Sequence, residues 1–342
     1  MKLFLAISMF FLFLINIGCN ATEPVIEDNT PAGSRDYEWT VDTLKTIETL
    51  GINRIWGYSP NDIWAVGSSS SVFTTIWHFD GTKWLSDSVS VGATPWAISG
   101  FSSNEVWLGT NIGQIWKYDG TSWKLFKSYS IPGYNNLVFQ NFYKSNSNQL
   151  VAVGYAENSN TYIGVIMIYD GKNWNLQKIP DTKVSFTNVR IESSTNVLVL
   201  QGYTEGEGGK LITWDGKNLT EIYNGDYPSV SNIGDQIIVT IGQKIFKYND
   251  GKLMLWYDQT GSIYYGKVWG GRSLKDFFWN STEGIVHFNG IDFKTLFATN
   301  PENFIGTAGA VIFEKDIFFL LGYLDYKETN IIIHGKLIEG DD

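Results

Sequence analysis

Chemistry on a protein surface needs a nucleophile with its base, converging metal ligands, a phosphate cradle or paired carboxylates. The 342-residue sequence offers few of these. Its one cysteine, Cys19, can close no internal disulfide and supply no cysteine-rich zinc site, and its three histidines, His78, His287 and His334, lie far apart along the chain. No G-x-S-x-G elbow and no H-E-x-x-H pair occurs. The segment EGEGGK at 205–210 has the glycine content of a phosphate loop, but Leu211 stands where Ser or Thr would hold magnesium. Glu205 and Glu207 would repel phosphate, so the segment reads as a glycine-rich hairpin loop. Asp80, Asp119, Asp170, Asp215 and Asp250 each sit alone before a glycine, whereas calcium takes six to eight converging oxygens, so they read as turn residues. The arginines, Arg35, Arg54, Arg190 and Arg272, are too sparse to suggest a sialidase-like carboxylate clamp. These residues predict no catalytic group, no metal and no cofactor. The plentiful carboxylates leave a polysaccharide-active hydrolase or lyase as the alternative reading, because their spatial separation is invisible in sequence.

The elements that must position any site repeat along the chain. IWGYSPNDIWAVG (55–67) with IWHFDGTKW (76–84) returns as AISGFSSNEVWLG (97–109) with IWKYDGTSW (115–123). Worn copies follow, among them VAVG (151–154) with MIYDGKNW (167–174) and IIVTIG (237–242) with IFKYNDGKL (245–253). The turn glycines Gly81, Gly120, Gly171, Gly216, Gly251, Gly290 and Gly335 are 39, 51, 45, 35, 39 and 45 apart, the period of a four-stranded propeller blade. Asp-Gly between β-rich runs marks a hairpin, with a type I′ turn as the expected form. No sustained 3.6-residue apolar period occurs after the first twenty residues, which predicts an almost purely β fold.

The last repeat lacks a fourth strand after Gly335, while DYEWTVDTLKT (36–46) reads like the fourth strands DGTKWLSDSV and DGTSWKLFKS. The predicted fold class is therefore all-β: a seven-bladed β-propeller of four-stranded antiparallel blades, its ring closed by an N-terminal strand that completes the last blade. The recurrent Trp64, Trp77, Trp84, Trp107, Trp116 and Trp123 are expected to pack between neighbouring blades. His78 and His287 share a slot held elsewhere by Lys117, Thr213 and Lys247, and His334 lies in a similar third strand, which argues against catalysis by any of them.

The chain begins with Lys2 and an apolar run of about 13 residues from Leu3 to Ile15, which reads as a signal peptide too short to span a bilayer. Gly18 before Cys19 resembles the cleavage box of bacterial lipoproteins, although Asn16 departs from the usual aliphatic residue. The resemblance implies lipidation at Cys19 and an outer-membrane address on the periplasmic or cell-surface side; the plain alternative is secretion after a cut near Ala21. The expected organisation is a signal peptide at 1–18, a flexible tether with the lipidated cysteine at 19–36, the propeller at 37–338 and an acidic tail at 339–342.

The WGxSPxDIWAVG and HFDGxxW units over 37–338 resemble bacterial exported lipoprotein β-propeller repeats, distantly similar to kelch and Asp-box propellers. That resemblance specifies fold and leaves function open. Function is read from where the repeat is not kept. Turns between first and second and between third and fourth strands are short, whereas the other connections vary, as expected of a binding face. The variable loops carry Tyr129, Tyr134, Tyr155, Tyr162, Tyr203, Tyr227, Tyr264, Tyr265, Tyr323 and Tyr326, interspersed with acidic residues, and these tyrosines are the candidate ligand-binding residues. With 25 Lys and Arg against 35 Asp and Glu, the net charge of −10 disfavours nucleic acid. The expectation is a monomeric binding or scaffolding module of the cell envelope. It meets a protein or a carbohydrate through its loop face and the membrane through its lipid anchor only.

Overall fold

The computed structural model describes residues 32–145, 149–180, 182–264, 266–281, 283–299, 304–323 and 327–338. The signal segment, Cys19, Tyr265, Tyr326 and the tail at 339–342 lie outside them. Among the described residues there is no helix, and so none long and apolar enough to cross a membrane. The strands follow in groups: β1 (Tyr37–Ser59), β2 (Asp62–Ser69), β3 (Ile76–Phe79), β4 (Trp84–Ser86); β5 (Pro95–Ser102), β6 (Glu105–Thr110), β7 (Gln114–Tyr118), β8 (Trp123–Ser128); β9 (Asn136–Lys144), β10 (Leu150–Glu157), β11 (Tyr162–Tyr169), β12 (Trp174–Leu176). Then come β13 (Ser185–Ile191), β14 (Leu198–Thr204), β15 (Gly208–Trp214), β16 (Leu219–Gly225); β17 (Pro228–Ile233), β18 (Gln236–Ile241), β19 (Lys244–Asn249), β20 (Lys252–Asp258); β21 (Val268–Ser273), β22 (Asp276–Ser281), β23 (Gly284–Phe288), β24 (Phe293–Ala298); and β25 (Phe304–Ile312), β26 (Asp316–Tyr323), β27 (Lys327–Leu337).

Each group pairs in order as an antiparallel sheet, and the 23-residue β1 serves two of them. Its first half pairs with β27, from Tyr37 opposite Leu337 to Lys45 opposite Thr329, and its second half pairs with β2, from Leu50 opposite Ser69 to Ser59 opposite Asp62. The first strands of the groups touch their neighbours in the order β1, β5, β9, β13, β17, β21, β25 and back to β1. Every core cluster is shared by two groups: Trp107 and Ile115 of β6 and β7 meet Phe139, Phe142 and Trp174 of the next sheet. Ile52, Ile63 and Trp77 of the first sheet meet Phe318, Leu320 and Ile332 of the last strands in the same manner. The recurrent tryptophans fill these seams, Trp64, Trp77, Trp107 and Trp123 fully and Trp84 and Trp116 at their edges.

Two local rules produce the repeat. Phe79 faces Trp84, Tyr118 faces Trp123 and Tyr169 faces Trp174 across four-residue turns, so most Asp-Gly turns are not the two-residue type I′ form expected. There the aspartate acts through its side chain: Asp80 Oδ1 accepts the amides of Thr82 and Lys83 at 2.9 and 3.0 Å, while Gly81 takes φ +92°. These hydrogen bonds, that of the Thr82 hydroxyl first, hold Asp80 down to about 2, so the carboxylate is satisfied within its own turn. Among the described residues Asp250 and Gly251 alone form the type I′ pair, at φ +45° and +74° between Asn249 and Lys252.

The second rule is the glycine that ends WAVG, WLG and VAVG. A Cβ on Gly154 would lie 1.9 Å from the Val138 carbonyl oxygen, because β9 bulges there and throws an extra residue against β10. Gly67 stands likewise opposite the bulge of β1 between Ile52 and Arg54. The bulge re-aims the residues of the first strand, and it recurs where the inner wall of the molecule is built.

Candidate functional site

In an antiparallel sheet the second-to-third and fourth-to-next connections leave from the same end, so the variable loops share one face. That face carries exposed apolar side chains: Ile47 between the two halves of β1, Val72 and Phe73 after β2, Ile112 after β6, Tyr203 in β14, Tyr227 after β16 and Ile263 after β20. Ile47 is 91% exposed and Tyr227 71%.

Of the tyrosines expected to bind, Tyr155, Tyr162, Tyr203 and Tyr227 come together across three consecutive sheets. The Tyr162 hydroxyl accepts the Glu205 amide at 2.8 Å. Burial, and then the neighbouring Tyr162, Glu205, Tyr227 and Glu157, raise the Tyr203 phenol. Burial also raises Tyr155, with Glu157 and Tyr203 adding to it. Tyr129 and Tyr134 lie half-buried against the core between β6 and β9, and the Tyr264 hydroxyl donates to the Phe293 carbonyl at 3.2 Å. Tyr323 ends β26, and its backbone pairs with Phe304.

The histidines form a repeated brace. His78, His287 and His334 place Nε2 2.8 Å from Oδ1 of Asp62, Asp276 and Asp316 respectively. Their rings lie 4.0, 4.7 and 4.0 Å from those of Trp64, Phe278 and Phe318 on the second strand. Lys117 repeats the brace, bonded to Glu105 at 2.7 Å over the Trp107 ring at 4.9 Å. A carboxylate, an imidazole or ammonium, and an aromatic ring thus tie the first turn of a sheet to its third strand. Burial pushes His287 down against the pull of Asp276, and its side chain is wholly enclosed, out of reach of a substrate.

The bulged first strands bound a cavity of about 470 Å³, and this feature was not read from sequence. Its charged lining residues are Arg54, Lys144 and Arg190, together with Asn141, Tyr143 and the rings of Trp56 and Phe101. Arg54 follows the bulge of β1, donating to the Asn53 carbonyl at 2.9 Å and the Gln140 carbonyl at 3.1 Å. Arg190 donates to Asn188 Oδ1 and the Val189 carbonyl, both at 2.7 Å, with its guanidinium 4.8 Å from the Tyr143 ring centre. Burial lowers both guanidinium pKa values. The available signal was that three of only four arginines, Arg54, Arg190 and Arg272, fall in first strands. No carboxylate lines the cavity among the described residues, and these contain no group of three or more His, Cys, Asp or Glu able to hold a metal.

Sheets of four antiparallel strands, stacked face to face with their first strands inward, define a β-propeller. Solved structures agree. The chain is similar to YCF48 bound to D1 peptide at 15% identity and a TM-score of 0.64, over 90% of this chain and 100% of that one. It is similar to the WD40 propeller domain of Doa1 at 10% identity and a TM-score of 0.60, over 89% and 98%. The extracellular domain of a B. thetaiotaomicron protein aligns at 11% identity and a TM-score of 0.54, over 88% of this chain and 40% of that one. No protein-family model matches the sequence, and no curated protein does.

Proposed function

We propose that the chain is an exported, lipid-anchored binding module of the cell envelope, a closed ring of seven blades whose loop face takes a protein partner. The exposed apolar side chains of that face carry the reading: Ile47, Val72, Phe73, Ile112, Tyr203, Tyr227 and Ile263 are all exposed and lie in or beside the connections at one end of the sheets. Closure is supported by the pairing of the first half of β1 with β27 and by the packing of Leu44 and Ile52 with Phe318 and Ile332. Export and anchoring rest on the apolar run before Gly18 and Cys19. YCF48, similar in fold, is known in complex with a peptide, which accords with a propeller face used for a polypeptide.

The cluster of Tyr155, Tyr162, Tyr203 and Tyr227 beside Glu157 and Glu205 favours a second reading, a neutral glycan stacked on tyrosine. A hydrolase or lyase acting with carboxylates of the loop face is the alternative; the cavity wall lends it no support, since no carboxylate lines it among the described residues.

Photo-crosslinking residues placed at Phe73 and Tyr227, and for comparison at Thr121 and Lys172 in turns of the opposite face, separate these readings. A discrete protein adduct from the first pair alone is the expected result. No adduct, with calorimetric binding of polysaccharide or peptidoglycan fragments, moves the assignment to a glycan, and release of reducing ends moves it to an enzyme. Equal adducts from both faces would refute a dedicated loop face.

A further inference from the structure

The cavity, walled by the later halves of the first strands toward the short-turn end, has an electrostatic composition at odds with the rest of the protein. In a chain of net charge −10, the guanidinium groups of Arg54 and Arg190 enter one space of about 470 Å³, from strands 136 residues apart. Each is held by neutral acceptors: Arg54 by two backbone carbonyls, Arg190 by Asn188 Oδ1 and one carbonyl. Neither takes part in an ion pair among the described residues. Those bonds use Nη1 and Nη2 of Arg54 and Nη1 of Arg190; among the described residues Nε and Nη2 of Arg190 have no hydrogen-bond acceptor.

A third cation stands with them. Lys267 immediately precedes β21, and its Nζ lies 3.4 Å from the centre of the Trp269 ring. Among the described residues its ammonium has no hydrogen-bond acceptor and no carboxylate partner. Burial first, and then the charges of Arg54 and Arg190, bring it down to about 7. The amide of Asn141 lines the same cavity with its Oδ1 unpartnered, and a half-turn of that amide presents two N–H donors instead. Asp235, exposed in the turn after β17, bears on the Tyr143 phenol, which burial raises and Arg190 lowers.

Clustered cations that lack carboxylates are costly to bury, and an incoming anion relieves the desolvation and the mutual repulsion together. Planar guanidinium groups bind carboxylate or phosphate oxygens in pairs. We propose that this cavity is an oxyanion site for a ligand bearing two or more negative charges on carboxylate or phosphate oxygens, with Arg54, Arg190 and Lys144 in its wall, Lys267 adding its charge from beside them and the Asn141 amide as a neutral donor. The volume admits an anion of the size of citrate. The assignment goes beyond a partner at the loop face and does not depend on it.

Calorimetric titration of the full chain with citrate and with inorganic phosphate, at constant ionic strength maintained with chloride, tests the site and separates the two oxyanion chemistries. One equivalent of at least one anion is expected to bind, at least tenfold more weakly in Arg54→Gln and in Arg190→Gln and unchanged in the exposed control Lys172→Gln. At pH 8 binding should take up a proton, read from the dependence of the heat on buffer, and Lys267→Gln should abolish that uptake. Thermal melts of the unliganded variants keep the test sound: relief of repulsion leaves them as stable as the parent or more so, and anion binding then raises only the parent's melting temperature. Heats no larger than the chloride control, or affinity that survives both arginine substitutions, would overturn the assignment.

Discussion

Replacing Lys267 by methionine should stabilise the protein at neutral pH and leave it unchanged in strong alkali. The ammonium titrates near 7 in the folded chain against an ordinary 10.5, a difference of about 3.5 pH units, and each unit is worth about 1.36 kcal/mol. The upper limit of the gain is therefore about 5 kcal/mol. Lys267 is only half-buried, so water screens part of its charge, and methionine forfeits the cation–π contact with Trp269. A net gain of about 1–3 kcal/mol remains. Between pH 7 and 10.5 the unfolded chain keeps the proton that the folded chain has released, so stability of the parent rises with pH across that window. The penalty is complete below pH 7 and gone above 10.5. For a domain of about 300 residues the gain corresponds to roughly 2–5 °C in melting temperature. Melting parent and Lys267→Met at pH 6, 8 and 10.5 in chloride buffer measures the gap, which should be widest at pH 6 and closed at 10.5. A gap independent of pH, or a less stable variant at pH 6, would refute the placement of an uncompensated cation beside Arg54 and Arg190.

Removing residues 37–46 strips β27 of its partner strand and takes Tyr37 and Leu44 from the core, so cooperative thermal unfolding should be lost; a normal melt would contradict the proposed closure. Trp107→Ala, at a wholly buried seam, should cost about 3–5 kcal/mol in urea denaturation, whereas Tyr227→Ala on the loop face should stay within about 0.5 kcal/mol and act on partner binding instead. Equal losses of stability would contradict that division. Cys19→Ala should move the protein from the membrane fraction to the soluble one, with the lipid mass absent from the intact protein; retention at the membrane would set the lipid anchor aside.

The strands and their order were legible because the signals are local. An aspartate that caps its own turn, a glycine with positive φ and a tryptophan after it specify a hairpin whatever lies around them. The N-terminal strand was legible for the same reason, since Trp39 repeats the position of Trp84 and Trp123. The turn type was not, because Asp80 and Asp119 satisfy their turns through side-chain oxygens rather than by positive φ. The shared slot of His78, His287 and His334 could be counted along the sequence, while the carboxylate and aromatic ring on either side of it appeared only with strand register.

Among the loop tyrosines, sequence distinguished neither Tyr227, which faces water, nor Tyr129 and Tyr264, which fold back on the core. By itself the sequence determined the β-period, the turns and the contrast between constant and variable connections, since each depends on residues a few positions apart. The tertiary structure alone decided that Arg54 and Arg190 line one cavity and that Lys267 lies close enough to feel the charge of both. They come from three different sheets, and what unites them is the radial arrangement of first strands together with the bulges that turn side chains inward. Electrostatic coupling depends on distance in space, and spacing along the chain holds no record of that distance until the sheets have packed.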